Sequence, residues 1–354
     1  MALRMDAEGG KGKRMEGVRL RNQAAGGQPA GRRGISGSTV KMVAVAVMLI
    51  DHIAAAVLTR QIMANGFLDV IGGTQGQIMG WLTENGALYY GMQGMRMIGR
   101  LGFPIFCFLL VEGFQRSRDV RQYALRLGVF ALISEIPFDL AITGRLFHGG
   151  YQNVYFTLLL GLLAMCGYGY FDKCRQGLCR ELPGVLRMFL TITGGLLPAF
   201  FTMMFMDVKL EGSARAVTAG VFCAVAAVLI LALYGRKKGF RHVQAICADI
   251  TVLAVMMLLA EWLCTDYGGM GVLTITVMYI FRKSRVAAML AGCTVLTVMS
   301  VGELPAFLAA VPVALYNGKR GMKMKYFFYV FYPLHLFLLY VVSVLLGLGD
   351  IVLL

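Results

Sequence analysis

The chain reads as an all-α, polytopic integral membrane helical bundle, and three observations predict this. Of its 354 residues 58% are hydrophobic. Only 15% are charged, where soluble domains carry roughly a quarter. Apolar stretches near the roughly 20 residues needed to cross hydrocarbon recur along the sequence. The composition excludes a disordered chain and argues against a soluble globular enzyme. A net charge of +15 would suggest nucleic acid in a soluble protein, but in a membrane protein it first reports which side of the bilayer holds the cations.

Residues 1–36 are rich in Gly, Arg and Lys and contain no apolar core of the kind a signal peptide needs. They are expected to form a disordered basic cytoplasmic tail, with residues 37–354 forming one membrane domain. The apolar stretches are 40–59, 97–114, 123–142, 153–171, 185–206, 214–234, 243–263, 267–281, 286–301, 304–316 and 326–348. This predicts about ten to eleven spans, the short 304–316 stretch being a candidate half-helix. With a cytoplasmic N-terminus, the loops 115–126, 172–187, 235–242, 282–285 and 317–325 face inward, and together with the tail and Lys41 they hold 28 of the 34 basic residues. Arg60, Arg96, Arg145, Lys209 and Arg215 fall in the opposite loops. The positive-inside rule therefore places the N-terminus of a multi-pass protein in the cytoplasm; the expectation is a bacterial-type cytoplasmic membrane, with the lipid bilayer and no nucleic acid among the partners. The eight cysteines show no metal-ligand spacing, and five of them lie within spans as small hydrophobes. Cys174 and Cys179 face a reducing compartment, where a disulfide is not expected.

Ionisable groups at mid-membrane are expensive, by roughly 2.5–3.5 kcal/mol on insertion scales, so each needs a reason. His52 follows Lys41 by eleven residues, about 16 Å along a helix, and His335 follows Lys325 by ten, about 15 Å. Glu135 reaches a similar depth from Arg126. Eleven residues return a helix to within about 20° of its starting direction, so Lys41 and His52 share a face. Asp51 diverges from that face and cannot orient His52 from the same helix; the partner must come from another span, with Glu135 or His335 at suitable depth. Glu135 and Asp139 lie four apart around Pro137 and predict an acidic patch on a kinked helix. Glu112 lies near the basic mouth, and Arg100, Asn153 and Asp266 are further polar residues in or beside spans. Taken singly, each has an ordinary explanation: an interhelical hydrogen bond for a His, snorkelling for Lys41. Two imidazoles and a carboxylate arriving at one depth from three spans are a poor choice for structure alone.

A buried His below a cationic mouth suits general-base catalysis on a hydroxyl or amine, with an anionic co-substrate held by Lys41, Arg116, Arg118 and Arg121. An acyl-CoA such as acetyl-CoA meets that description. The rival is a proton-coupled transporter, because Asp, Glu and His also relay protons.

The stretch Met97–Phe106 with Val111–Gly113, then Ile133–Asp139, Gln152–Val154 with Phe156–Thr157, Asp266–Gly268, Lys41 with Ile50–Ile53, and the closing Lys325–Leu336 resemble the TraX family of integral membrane proteins over about 38–342. The resemblance implies acetyl-CoA-dependent acetylation of a pilin N-terminus. It is also similar to type-3 membrane acyltransferases that modify glycans, through Lys41 followed by His52 and through Arg118 and Arg121, although Glu112–Gly113 departs from their Ser-Gly. On that likeness His52 is the expected base, Glu135 the first choice to orient it, His335 a second base or acceptor ligand, and Asp51 and Asp139 further acids of the site. The acyl acceptor would be a protein N-terminus or a glycan. A non-catalytic assembly factor of a conjugation or secretion apparatus is the third reading.

Overall fold

The computed structural model describes residues 34–178, 182–210, 214–322 and 325–353. Nearly all of the expected tail, together with Arg180 and Lys323, lies outside the described residues. Each of the eleven predicted stretches is built around a helix. In chain order these are α1 (Gly37–Ala64), a short α2 (Phe67–Val70), α3 (Gln75–Arg116), α4 (Val120–Phe138), α5 (Val154–Arg175), α6 (Gly184–Leu210), α7 (Ala214–Lys238), α8 (Phe240–Trp262), α9 (Gly268–Ile280), α10 (Arg285–Met299), α11 (Val301–Leu315) and α12 (Lys325–Leu345).

Among the described residues seven helices are long and apolar enough to cross a membrane. α4 is not among them, α9 and α10, at 13 and 15 residues, fall short of the full crossing predicted for their stretches, and α11, the candidate half-helix, is short as well. α11 begins in tight 3₁₀ form over Val301–Ala309 before relaxing into an α-helical turn.

The starts of the helices are written locally. Ser36, Asp119, Asn153 and Ser284 each accept a hydrogen bond from a backbone N–H of the first turn they open, satisfying donors the helix cannot. Thr74 and Gln77 form a reciprocal capping box at the start of α3.

That start corrects the reading of 60–96 as an outer loop. α3 runs for 42 residues, and its first half packs antiparallel to α1. Trp81 Nε1 donates to Asn65 O at 2.7 Å and Asn65 Nδ2 to Asn85 Oδ1 at 2.6 Å. Arg96, expected in that loop, instead lies on the helix and meets Asp51 of α1.

The main core gathers Val40 and Ala44 of α1, Phe103 to Val111 of α3, Leu158 to Met165 of α5 and the inner faces of α9, α10 and α11. A second cluster joins Ala56, Val57, Phe138, Ala141, Leu336 and Leu339 with Tyr332, where α1, α4 and α12 meet. Two helices widen into π-turns at that junction, α1 at Ala54–Leu58 and the end of α4 at Asp139–Thr143. Such turns release carbonyls from the regular ladder. Cys174 is disulfide-bonded, contrary to expectation; Gly177, at φ 73°, turns the chain back just beyond α5.

Candidate functional site

α1 and α12 bring His52 and His335 together. Their Nδ1 and Nε2 atoms lie 2.6 Å apart, and the rings are nearly parallel at 12°. His335 Nδ1 lies 2.7 Å from the carbonyl of Phe331, one helical turn earlier. A carbonyl only accepts, so His335 donates from Nδ1 and, as a neutral imidazole, accepts at Nε2. His52 must then donate from Nδ1. The order of protons leaves the Nε2 of His52 with a free lone pair, the state a general base requires. Phe331 stacks on His335, and Tyr332 meets both imidazoles edge-on. Tyr155 packs against Tyr332 and closes the aromatic wall.

Glu135 does not bond to His52. Its Oε2 accepts a short hydrogen bond from Asn153 Nδ2, and Asn153 also donates to Ala131 O and caps α5. Its other oxygen, Oε1, is buried without a partner. Asp139 does not pair across the turn with Glu135; its Oδ2 accepts from the backbone N–H of His148 at 2.8 Å, which pins the loop after α4.

Asp51 turns away from His52, as helix geometry requires, and pairs with Arg96 at 2.6 Å. One turn along α3, Arg100 pairs with Glu303 at 2.6 Å. Glu303 is 2% exposed and was not singled out from sequence; the signal was present as a lone acid between the apolar stretches 286–301 and 304–316. Asp266 accepts a short hydrogen bond from the Tyr151 hydroxyl, and the neighbouring Tyr267 stacks on Phe103 with centroids 3.5 Å apart. Arg96, Arg100, Asp51, Asp266 and Glu303 thus form one ionic network by their mutual electrostatic reach, and Arg96 extends that reach to His52.

Arg60 is the second residue that sequence reasoning misplaced. Assigned to an outer loop, it is fully buried and donates to Ala56 O, Ala141 O, Leu140 O and Ile351 O. A guanidinium carries five donors in a fixed fork. Here it fills the carbonyls that the two π-turns expose and ties the C-terminal segment to them.

At the basic end Lys41 lies over the Phe328 ring, its Nζ 5.3 Å from the centroid. Arg116 is committed: it pairs with Glu112 at 2.6 Å and donates to Gly318 O. Arg285 also reaches Glu112 and Tyr316 O. Arg118 and Arg121 are exposed.

Fold and site define a polytopic helical membrane protein with a hydrogen-bonded histidine pair buried between its first and last long helices, beneath a cationic end. Residues 36–179 and 187–343 match the family model described as TraX protein, and the chain belongs to that family. It is also similar to the "Probable fimbrial assembly protein FimC, serogroup H1" of Dichelobacter nodosus, at 27% identity over 257 residues, covering 69% of this chain and 81% of that protein. No solved structure matches the chain.

Proposed function

We propose that the chain is a membrane acyltransferase that moves an acetyl group from acetyl-CoA on the cytoplasmic side to an amine or hydroxyl acceptor. The observation that carries this reading is the relay from Phe331 O through His335 to His52, which ends in a free Nε2. His52 removes the acceptor's proton as its nitrogen or oxygen attacks the thioester carbonyl. The carbon–sulfur bond breaks, and the leaving thiolate takes that proton from His52. His335 fixes the tautomer and ring angle of His52. Lys41 and the exposed Arg118 and Arg121 hold the phosphates in a chain oriented with its basic end inward. Two features fit this co-substrate: cations at one end without acidic partners among the described residues, and aromatic rings at both places, Phe328 under Lys41 and Phe331 and Tyr332 against the imidazoles. The acceptor classes are a protein N-terminus, as in a fimbrial subunit, and a cell-surface glycan.

The test is acetyl transfer in reconstituted vesicles loaded with labelled acetyl-CoA. His52→Ala should lower transfer by about 10²–10⁴-fold, the range for a lost general base, and full activity in that variant would end the proposal. The similarity to a fimbrial assembly protein favours one second reading, a non-catalytic assembly factor. On that reading the wild-type chain transfers nothing and co-purifies stably with fimbrial subunits.

A further inference from the structure

Arg320 stands in the loop between α11 and α12, and that loop is built against the start of α1. Ile35 N–H donates to Leu315 O at 3.0 Å and Asn317 N–H to Ile35 O at 3.0 Å. Gly37 N–H donates to Lys319 O at 2.8 Å and Ser38 N–H to Arg320 O at 3.0 Å, while Met322 N–H returns to Ser38 Oγ at 3.1 Å. Gly318 and Gly321 take positive φ to make the turns, and a Cβ on Gly321 would overlap the Ser38 hydroxyl. Arg116 and Arg285 brace the same loop from outside through Gly318 O and Tyr316 O.

These bonds anchor the backbone of Arg320 on Ser38, one helical turn before Lys41 on the same face of α1. Lys41 and Arg320 lie within Coulombic reach of each other. Among the described residues neither has an acidic partner. Glu112, the carboxylate of this end, is taken by Arg116 and Arg285. Two cations kept within Coulombic reach by a braced loop repel one another, and an anion between them removes that penalty.

We propose that Arg320 and Lys41 form the phosphate clamp for the donor nucleotide, with Arg116 acting as a brace of the loop and not as a phosphate ligand. This rests on the acyl-CoA reading above and adds a binding residue to it. Arg320 is exposed, so its removal leaves the fold intact.

The experiment uses the full chain in phosphatidylcholine nanodiscs, with acetyl-CoA as the probe, titrated calorimetrically. Arg320→Ala should weaken binding by roughly tenfold, the scale of one charge-assisted contact. Arg320→Lys should recover part of the loss, and Lys319→Ala, in the same loop, should bind as the wild type does. Wild-type affinity in Arg320→Ala, with the wild-type chain itself binding acetyl-CoA, overturns this inference alone. No binding by the wild-type chain overturns the acyl-CoA reading with it. A lipid phosphate is the other source of the same chemistry. If Arg320→Ala strips co-purifying phosphatidylglycerol yet leaves acetyl-CoA affinity unchanged, the clamp belongs to a lipid headgroup and the inference falls.

Discussion

Removing His335 tests the proton order directly. His335→Phe keeps an aromatic ring against Phe331, whose centroid lies 4.8 Å from that of His335, but deletes the acceptor 2.6 Å from His52 Nδ1. A buried N–H left without its partner costs about 1–3 kcal/mol. If His52 recovers that energy by turning or by moving its proton to Nε2, the base is lost from the productive geometry. The same energy then appears in the barrier as a fall in kcat of about 5- to 150-fold. KM for acetyl-CoA should stay near the wild-type value, because Lys41 lies eleven residues, about 16 Å, from His52 along α1. His335→Gln offers a carbonyl oxygen to the same N–H and should restore part of kcat. Initial rates of acetyl transfer in proteoliposomes, at varied acetyl-CoA, separate the two constants. Wild-type kcat in His335→Phe, or a loss carried wholly by KM, refutes the relay.

Three further outcomes follow from the packing. Gly99→Ala places a Cβ on the Asp51 carboxylate and should destabilise by about 1–3 kcal/mol, whereas Gly91→Ala meets nothing within 4 Å and should leave the melting temperature unchanged or slightly raised. Equal melting curves for the two would contradict the close approach of α1 and α3. Arg60→Met removes four carbonyl contacts from a fully buried site and should cost at least about 3 kcal/mol. Arg60→Lys, a point charge without the planar fork, should not rescue it, and rescue would mean that charge alone is needed there. Asp51→Ala leaves Arg96 unpaired and should lower stability by about 1–3 kcal/mol, discounted because both side chains are partly exposed. Replacing both, with Leu at 51 and Met at 96, should recover most of that loss in thermal unfolding, and a double variant less stable than Asp51→Ala would speak against a simple ion pair.

The membrane helices were legible because lipid demands long apolar runs, and nothing else in a chain produces them at such density. The first half of α3 was not legible. Its six glycines between Gly76 and Gly99 and its polar surface argue against a helix on propensity, and its stability comes from α1, which one sequence does not reveal. Arg60 and Arg96 were misplaced for a related reason. Charge bias assigns a cation to a loop, whereas Arg60 is held by carbonyls that π-turns expose and Arg96 by a carboxylate on another helix. Depth arithmetic brought His52 and His335 to one level. It could not choose between His335 and Glu135 as the partner of His52, because that depends on how α1, α4 and α12 are rotated about their own axes.

Rotation is what the neighbouring residues Asp51 and His52 decide together. They sit about 100° apart on α1, and each is held from a different side: Asp51 by Arg96 of α3, His52 by His335 of α12. A helix tethered at two adjacent positions on diverging faces cannot roll, so the ionic network fixes the direction in which the imidazole points. Immediately beyond, the π-turn at Ala54–Leu58 resets the helical phase, and Arg60 locks that reset against the end of α4 and the C-terminal segment. The residues that look structural thereby determine the geometry of the residues proposed to react. Loss of Asp51 should for this reason depress kcat as well as stability, even though Asp51 touches neither imidazole.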